Sequence, residues 1–457
     1  MAERFTFILP DLDTTDRIAA DIASLLRPGD CVALSGDLGA GKSALARMIL
    51  RHLAQDPALE APSPTFTLMQ VYDTARGSVL HADLYRIRHP DELVELGLAE
   101  EMEGRIALVE WPERAGAFLD AAHRLDIRLA LQPESGDDVR RIDLSGGPGF
   151  GMRLRLSLGA RRLIDGAGWT DARREHMQGD ASARGYERLV KPDGATAILM
   201  VSPPRPDGPA VRLGKPYSAI AKLAETVDAF VAMDRGLAAL GYSAPQIFAQ
   251  DLSTGLLLIE DLGQGLVVDA DGPVPERYLA AAALLADLHG HALPAILPVA
   301  EGRDHVIPDY DHAAMEIEID LLLEWYAPHL AGAALAAVTK KQFLRLWSPL
   351  LEEVIRGERS WVLRDVHSPN LIWLPEREGL ARVGLIDFQD AVLGHPAYDV
   401  ASLAQDARVD VSPELEMKVL SAYVAARRRR DPDFDLAAFA RAAGHQDPGH
   451  LCPPRQT

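Results

Sequence analysis

The chain has 457 residues, 48% of them hydrophobic, and its 47 basic and 67 acidic side chains give a formal net charge of −20. This length exceeds what one hydrophobic core usually supports, so two or three domains are expected. The acidic balance argues against a large surface that grips a nucleic-acid backbone directly. The first 150 residues, with 15 basic and 25 acidic side chains, share this balance.

Neither the start of the chain nor its cysteines indicates export or a structural metal. No uninterrupted apolar run reaches the ~18 residues that a membrane span needs. The opening MAERFTFILPDLDTTD lacks the basic end and long apolar stretch of a signal peptide. Cys31 and Cys452 are too few for a disulfide framework and have no metal-ligand spacing. We expect a cytoplasmic protein with no membrane association.

The stretch DCVALSGDLGAGKSALARMILRHL predicts a strand over Asp30–Ser35, a glycine-rich turn and a helix over Lys42–Leu53. Backbone N–H groups of such a turn point at bound phosphate, and its glycines allow a close approach that a Cβ would block. A lysine at the helix start reaches the outer phosphates and the serine after it ligates magnesium. The predicted ATP-binding residues of this loop are Gly36, Gly39, Gly41, Lys42 and Ser43, with Ser43 also a magnesium ligand.

Two further apolar runs end in acids. SVLHADLYRI delivers Asp83 and RIALVEWPE delivers Glu110. The carboxyl ends of parallel strands in an open α/β sheet face the nucleotide, so both acids are candidates for magnesium and for the attacking water. For either acid alone, capping a helix is an equally good interpretation.

Together, GDLGAGKS, SPTFTL, HADLYR and VEWPE resemble TsaE, the ATPase of bacterial tRNA threonylcarbamoyladenosine synthesis, over about residues 5 to 147. The resemblance implies that Thr65 lies in a switch-like loop and that Trp111 helps to shape the nucleotide site. It also implies that Asp83 and Glu110 serve magnesium and hydrolysis. The family acts on a complex of TsaB and TsaD, which modifies tRNA, so any tRNA would be held by these partners.

The region near residue 146 marks a boundary between domains. A strand expected over Val139–Leu144 runs into GGPGFG, whose glycine and proline oppose both helix and strand. A new amphipathic pattern starts near Leu156. The predicted organisation is a domain over 1–147, a linker over 148–156, a second domain over 157–443 and a tail over 444–457.

Within the second domain, WVLRDVHSPNLIWL places Asp365 and Asn370 five positions apart. This spacing lets an aspartate accept a hydroxyl proton while the asparagine reaches a metal. The strand in VGLIDFQDA then delivers Asp387, the expected main magnesium ligand. An ordinary loop aspartate is the alternative for Asp365, and the ordered set disfavours it. Upstream, GLLLIEDLG predicts a strand leading into a hinge between two lobes, with Glu260 as a cofactor-binding residue.

These motifs resemble the aminoglycoside phosphotransferase-like kinases. The segments GDASARGYERL, AILMVSPP and LIDFQDAVLGHPAYDVASLAQDAR are similar to the branch that phosphorylates N-acetylmuramate and N-acetylglucosamine in peptidoglycan recycling. In this branch a methionine commonly replaces the ATP-binding strand lysine, as Met200 does. Ala183, Gly185 and Val201 depart from the family pattern. The resemblance implies an amino-sugar substrate, ATP and Mg²⁺, and no catalytic role is predicted for His289.

The predicted fold is an α/β P-loop NTPase domain followed by an α+β, two-lobed, protein-kinase-like domain. The predicted function is bifunctional, an ATPase for tRNA modification joined to an amino-sugar kinase. Two alternatives stay open. One is a kinase for another small alcohol, such as an aminoglycoside or choline, and the other is a TsaB- and TsaD-binding module with an inactive kinase half.

The last residues, HQDPGHLCPPRQT over 445–457, have three prolines and no apolar periodicity, which predicts a disordered tail. The kinases that the chain resembles continue instead with apolar helices. We interpret the change as a frameshift near Gly444 that uncovers apolar surface on the C-terminal lobe.

Overall fold

The computed structural model describes residues 4–89, 91–119, 123–136, 138–147, 149–177, 184–204 and 208–444. These residues form two compact units, of which the first ends at Val201 and the second begins at Ser202. The first unit therefore extends past the predicted linker and includes three strands beyond it. The predicted tail over 445–457 lies outside the described residues.

The first unit alternates strands and helices. Its elements are β1 (Arg4–Leu9), α1 (Leu12–Leu25), β2 (Cys31–Ser35), α2 (Lys42–Ala54), β3 (Met69–Thr74), β4 (Gly77–Asp83), α3 (Asp91–Glu95), α4 (Leu98–Met102), β5 (Ile106–Glu110), β6 (Arg124–Leu131), β7 (Arg140–Gly146), α5 (Gly151–Gly166), β8 (Arg173–Met177), β9 (Gly185–Val190) and β10 (Thr196–Val201).

Seven of these strands form one sheet in the order β1-β7-β6-β2-β5-β4-β3. The central strands β6, β2, β5 and β4 run parallel, and the outer pairs are antiparallel. Glu110 at the end of β5 is the register partner of both Leu34 in β2 and Asp83 in β4. The two predicted acids therefore meet at the same edge of the sheet, beside the turn that follows β2.

The central strands β2, β4 and β5 are buried on both faces, as parallel strands covered by helices usually are. Because side chains alternate along a strand, Val32 and Leu34 of β2 join a core with helices α1, α2 and α5. Cys31 and Ala33 join a second core with residues of α3 and α4. This packing places the start of α2 directly after the sheet edge that carries the acids.

Helix α5 occupies much of the region predicted to be a linker. It begins at Gly151, so residues 151–156 are helical. Its buried Leu154 and Leu158 belong to the same core as Ile22 and Leu25 of α1. The helix is thus packed against the first domain. After it, β8 pairs antiparallel with β9, and β9 with β10.

The second unit is mainly helical, with short two-stranded pairs. Its elements are β11 (Ala210–Arg212), β12 (Lys215–Pro216), α6 (Tyr217–Ala221), α7 (Asp228–Ala239), β13 (Ile247–Asp251), β14 (Leu256–Glu260), β15 (Val268–Asp269), β16 (Gly272–Pro273), α8 (Pro275–Leu288), β17 (Ile296–Ala300), β18 (Arg303–Val306), α9 (His312–Leu321), α10 (Ala327–Ala331), α11 (Ala337–Arg356), β19 (Ser360–Val362), β20 (Leu371–Trp373), β21 (Val383–Leu385), β22 (Val392–Gly394), α12 (Ala397–Ala404), α13 (Pro413–Arg430) and α14 (Leu436–Ala442).

The core of this unit surrounds a loop that carries the predicted catalytic residues. Trp361, Tyr278, Tyr423 and Phe388 are among its largest fully buried side chains. The loop runs from β19 to β20, and β20 forms an antiparallel hairpin with β21. Since β21 leads directly to Asp387, the hairpin returns the chain to the loop that carries Asp365.

Large apolar side chains on the surface are concentrated between residues 321 and 350. Trp325 and Leu346 are each 74% exposed and Leu330 is 68% exposed. No helix within the described ranges is both long enough and apolar enough to cross a membrane. The exposed apolar side chains of α10, of α11 and of the residues just before α10 lie on the surface of the second unit.

Candidate functional sites

The glycine-rich turn after β2 has the backbone geometry that phosphate binding needs. Gly36, Gly39 and Gly41 have φ values of 136°, 81° and 105°, which side chains rarely adopt. At Gly36, a Cβ would also lie 2.3 Å from the carbonyl oxygen of Leu129. Both the φ of Gly36 and the close approach of Leu129 therefore require glycine at this position.

Lys42, the first residue of α2, lies within this turn. Its Nζ donates hydrogen bonds of 2.8 and 2.9 Å to the carbonyl oxygens of Gly36 and Asp37, and lies 3.7 Å from the ring centroid of Trp111. Burial lowers the pKa of Lys42, and nearby carboxylates, chiefly Glu110, oppose that shift. The ammonium group is therefore held over the turn, in a position to meet phosphate oxygens.

Glu110 connects the turn to the neighbouring strand. Ser43 Oγ donates a hydrogen bond to Glu110 Oε2 at 2.7 Å, and His81 Nε2 lies 2.9 Å from Glu110 Oε1. His81 is fully buried and Glu110 is 1% exposed. Both carboxylate oxygens are thus held in place by neighbours from α2 and β4.

The second strand-end acid, Asp83, organises the loop that precedes β3. Ser63 Oγ donates to Asp83 Oδ2 at 2.7 Å, and Thr65 Oγ1 donates to the same oxygen at 3.1 Å. The backbone N–H of Tyr85 donates to Asp83 Oδ1. The structure therefore brings Thr65, predicted to lie in a switch-like loop, to a predicted magnesium ligand.

In the second unit, Asp365, Asn370 and Asp387 lie close together. Asn370 Nδ2 donates to the backbone oxygen of Asp365 at 3.0 Å, and the N–H of Ile386 donates to the backbone oxygen of Asn370 at 3.1 Å. Asp387 has a φ of 61° and its Oδ1 accepts a 2.7 Å hydrogen bond from Gln389 Nε2. The loop after β19 and the loop after β21 thus form one site.

The charge environment of Asp365 suits a base. Burial raises its pKa, and the Asp387 carboxylate raises it further, while the nearby His367 lowers it. His367 Nε2 lies 3.9 Å from Asp365 Oδ1. A carboxylate whose pKa is raised toward the working pH is a stronger base for a hydroxyl proton.

Two buried aspartates hold the backbone of this loop. Asp399, which is fully buried in α12, accepts hydrogen bonds from the N–H groups of Leu363 and Arg364 at 2.7 and 2.9 Å. Asp406 accepts from the N–H of Ser368 at 2.6 Å and from the hydroxyl of Tyr278 at 2.8 Å. The residues on either side of Asp365 are therefore anchored to the helical core.

The side chain of Arg364 binds groups from α6 and α9. Its Nη1 donates to the backbone oxygen of Ala221 at 2.7 Å, and its Nη2 donates to the Glu318 carboxylate. Burial acts to lower the pKa of Arg364, but its neighbours, chiefly the Glu318 carboxylate, outweigh that effect, so the pKa is raised. Arg364 thus ties the loop to α6 and α9.

The remaining kinase predictions are placed as follows. Glu260 ends β14, where its carboxylate accepts from Arg377 at 2.6 Å and from the N–H of Gln246 at 3.1 Å. Met200 is buried in β10. Gly185 and Val201 are register partners in β9 and β10, and Ala183 lies outside the described residues. The carboxylate of Glu260, which was predicted to bind the cofactor, is thus bound by Arg377 and by the backbone N–H of Gln246.

The oxygen donors at both sites fit Mg²⁺ bound together with a nucleotide. Among the described residues, no group of three or more His, Cys, Asp or Glu side chains is arranged to hold a metal ion. Mg²⁺ typically takes one or two carboxylates and completes its octahedral shell with water and phosphate oxygens. Ser43 with Glu110, and Asn370 with Asp387, are donor sets of that small size.

Sequence reasoning missed several residues that complete the two sites. His81 lies in the motif HADLYR and Ser63 lies in the motif SPTFTL, so these motifs could have identified both residues. Asp399 is the last residue of the motif GHPAYD, which could likewise have identified it. Glu318 lies in an ordinary amphipathic helix, and only its contact with Arg364 identifies it.

Comparisons with known proteins match two parts of the chain to two families. Residues 9–142 match the family described as threonylcarbamoyl adenosine biosynthesis protein TsaE, and residues 175–435 match the phosphotransferase enzyme family. The N-acetylmuramate/N-acetylglucosamine kinase of Caulobacter vibrioides is 40% identical over 301 residues, which cover 63% of this chain and 80% of that protein.

The N-terminal part has relatives of its own. TsaE proteins of Rickettsia felis and Rickettsia bellii are 42% and 40% identical, each over 106 residues and 23% of this chain. The match covers 61% of the first protein and 73% of the second. The predicted resemblances and fold classes are confirmed. The chain belongs to the phosphotransferase enzyme family over more than half its length and carries a TsaE-family domain before it.

Proposed function

We propose that this protein is a bifunctional cytoplasmic enzyme. Its TsaE-like domain hydrolyses ATP in support of tRNA threonylcarbamoyladenosine formation, and its kinase domain transfers the γ-phosphoryl group of ATP to the anomeric hydroxyl of N-acetylmuramate or N-acetylglucosamine. The observation that carries the kinase assignment is the joining of Asp365, Asn370 and Asp387 in one site, in a chain that is 40% identical to a kinase of these sugars.

In the TsaE-like domain, Lys42 and the turn N–H groups bind the phosphates, and Ser43 would be a ligand of Mg²⁺. Glu110 and Asp83 orient the attacking water, and both would hold Mg²⁺ when it is bound. His81 holds Glu110 Oε1, so that Oε2 faces Ser43. Bound Mg²⁺ would neutralise charge on the transferring phosphoryl group. Positioning supplies most of the remaining rate enhancement, as in other phosphoryl transfers.

In the kinase domain, Asp365 accepts the proton of the sugar hydroxyl as that oxygen bonds to the γ-phosphorus and the bond to the leaving ADP oxygen breaks. Asp387 and Asn370 would hold the Mg²⁺ that accompanies ATP. The raised pKa of Asp365 supports its role as the base. Asp399 keeps the loop in place through the N–H groups of Leu363 and Arg364.

The proposed partners of the TsaE-like domain are TsaB and TsaD, with tRNA held by them. The net charge of −20 supports this indirect role, because a direct tRNA surface would need a basic patch. The kinase domain takes a small amino sugar. Both activities use ATP and Mg²⁺.

The kinase assignment is tested by measuring ADP release from purified full-length protein with N-acetylmuramate and N-acetylglucosamine. Asp365→Ala should lower the sugar-dependent rate by about 10²–10⁴-fold, the usual contribution of a positioned base. Lys42→Ala should leave it unchanged, since Lys42 belongs to the other site. Sugar-dependent turnover that survives Asp365→Ala overturns the assignment.

A panel of other acceptors decides between the kinase assignments. Turnover with an aminoglycoside or choline, but with neither amino sugar, would replace the sugar assignment by a kinase for a cationic alcohol. A protein that turns over no acceptor and fails to bind ATP at the kinase site would be a binding module with an inactive kinase half.

The TsaE-like assignment is tested with reconstituted TsaB and TsaD and a tRNA substrate. Wild-type protein and Asp365→Ala should both support repeated rounds of tRNA modification, whereas Lys42→Ala should not. Equal support by Lys42→Ala would contradict an ATP-dependent role. Failure of the wild-type protein to bind the complex would contradict the partner assignment.

A further inference from the structure

A buried ion network connects the TsaE-like domain to the first strands of the kinase domain. We name it the Asp21 joint and define it as Asp21, Arg161, Arg174 and Glu187. Arg174 Nη1 lies 2.5 Å from Asp21 Oδ1, and Arg174 Nε donates to Glu187 Oε2 at 2.6 Å. Arg161 Nη2 lies 3.0 Å from Asp21 Oδ1. A single carboxylate of α1 thus binds one arginine from α5 and one from β8.

The centre of the joint is buried. The side chains of Asp21 and Arg174 are 3% and 5% exposed. Burial acts to lower the pKa of Arg174, but the Glu187 and Asp21 carboxylates outweigh it and raise the pKa, so Arg174 stays charged. Removing one partner from such a network leaves an uncompensated buried charge, so the three elements are held in one relative position.

Neighbouring contacts reinforce the joint. Ser157 Oγ of α5 donates to the backbone oxygen of Asp21 at 2.9 Å. Gln55, the residue after α2, donates from Nε2 to the backbone oxygen of His176 in β8 at 3.2 Å. Helices α1, α2 and α5 therefore all contribute to the surface on which β8 rests.

Through Glu187, the joint is connected to β10, the strand that the family resemblance assigns to ATP binding. Glu187 in β9 is the register partner of His176 in β8 and of Leu199 in β10. Leu199 is adjacent to Met200, which stands where the ATP-binding lysine is usual. Because β8, β9 and β10 are hydrogen-bonded in continuous register, a shift of β8 against α1 would also shift β10.

We propose that Asp21, in the TsaE-like domain, is a positioning residue for ATP in the kinase reaction, acting through Arg174 and Glu187 on the strands β8 to β10. This inference rests on the proposed kinase activity. It implies that the fused TsaE-like domain is a structural base for the kinase ATP site, and that cutting the chain at the predicted linker would damage that site.

The test measures kinase kinetics of full-length protein against both substrates. Asp21→Asn keeps the size of the side chain and removes its charge, so KM for ATP should rise by about 10-fold while kcat and KM for the sugar stay within about 2-fold. Arg161 lies at the rim of the joint, so Arg161→Gln should give a smaller rise in KM for ATP. This variant takes the place of Asp21→Asn in the test if Asp21→Asn does not fold. Arg174→Lys, which keeps the charge, should recover most of the ATP affinity lost in Arg174→Gln.

The matched control is Asp16→Asn, on the same helix, whose carboxylate pairs with His52 and is 50% exposed. Its KM for ATP should equal that of the wild type. Asp21→Asn combined with Arg174→Gln should raise KM no more than Arg174→Gln alone, because Asp21 acts through Arg174. An unchanged KM for ATP, with only the active fraction or the melting temperature reduced, would show a structural role alone and overturn the proposal.

Failure of the proposed function can be told apart from failure of this inference. Wild-type protein that phosphorylates no sugar contradicts the function, and the joint is then tested by binding of a fluorescent ATP analogue in a Lys42→Ala background. There Asp21→Asn should weaken binding by about 10-fold. Unchanged binding would overturn the inference, whatever the acceptor.

Discussion

Ser43 Oγ donates a 2.7 Å hydrogen bond to Glu110 Oε2, which joins the first turn of α2 to the end of β5. The serine is a predicted metal ligand and the carboxylate is a predicted water-orienting group, so one contact connects nucleotide binding to hydrolysis. His81 fixes the other oxygen of the same carboxylate at 2.9 Å.

Glu110→Gln should therefore reduce ATP hydrolysis by the TsaE-like domain by about 10²–10³-fold, the usual cost of losing one preorganised charge-stabilising group. Nucleotide binding should change little, because Lys42 and the turn remain. Hydrolysis measured without sugar reports this activity alone. The exposed Glu134→Gln provides the control, and a Glu110→Gln protein that hydrolyses ATP at the wild-type rate would remove Glu110 from the mechanism.

Gly36→Ala should abolish nucleotide binding at the phosphate loop. The new methyl group would meet the carbonyl oxygen of Leu129 at 2.3 Å, and the residue already has a φ of 136°. Gly29→Ala is the matched control, since Gly29 has a φ of 91° with no atom within 4 Å of the added Cβ. It should cost only the ~1 kcal/mol typical of left-handed backbone strain.

Calorimetric titration with ATP in an Asp387→Asn background, which weakens the kinase site, measures this binding. The two glycine variants should differ clearly. Equal affinities would show that the close approach to Leu129 relaxes in solution, and they would contradict the requirement for glycine at position 36.

The pH dependence of sugar phosphorylation should report the raised pKa of Asp365. Burial and the Asp387 carboxylate raise this pKa above its ordinary value of 3.8. Because only the deprotonated carboxylate accepts the hydroxyl proton, the rate falls as pH decreases through that raised pKa. The acid limb of the kcat/KM profile should therefore lie above pH 3.8.

His367→Gln tests the same charge balance. Protonated His367 lowers the pKa of Asp365, so its removal should move the acid limb to higher pH. His291→Gln, whose partner is Asp287, should leave the limb in place. A limb that moves to lower pH in His367→Gln would contradict this account.

Asp234 should make the kinase half less stable as pH rises. It lies in α7 and is 4% exposed, and burial raises its pKa from 3.8 to about 7, with Arg235 opposing the shift and Glu260 adding to it. A carboxyl group with a raised folded-state pKa is neutral in the folded protein at low pH. Its stability contribution is then lost as pH rises from about 4 through 7, because folding must bury the charge.

Asp234→Asn should accordingly raise the thermal midpoint at pH 8 and have little effect at pH 4. Differential scanning calorimetry of the full chain at both pH values measures this difference. The exposed Asp410→Asn should shift the midpoint at neither pH. A destabilised Asp234→Asn protein at pH 8 would show that the ionised carboxylate has a favourable partner in solution.

Local sequence determined the phosphate loop and the kinase loop. The loop glycines, Lys42 and Ser43 all fall within the eight residues 36–43, so one short stretch of sequence predicts the phosphate-binding turn. The same holds for Asp365 and Asn370, which are five positions apart. Apolar runs ending in Asp83 and Glu110 predicted two strand ends at one sheet edge, and the register of β4 with β5 places them there. Their catalytic roles remain predictions.

Only the tertiary structure decided which distant side chains support these loops. His81 meets Glu110 across 29 positions, the N–H of Leu363 meets Asp399 across 36, and Arg174 meets Asp21 across 153. No local pattern encodes such pairs, because their partners come together only when separate elements pack. A buried carboxylate and a solvated one look alike in sequence. They differ in whether packing removes water and supplies a donor, and that difference makes Asp21 part of a joint and Asp399 an anchor for the catalytic loop.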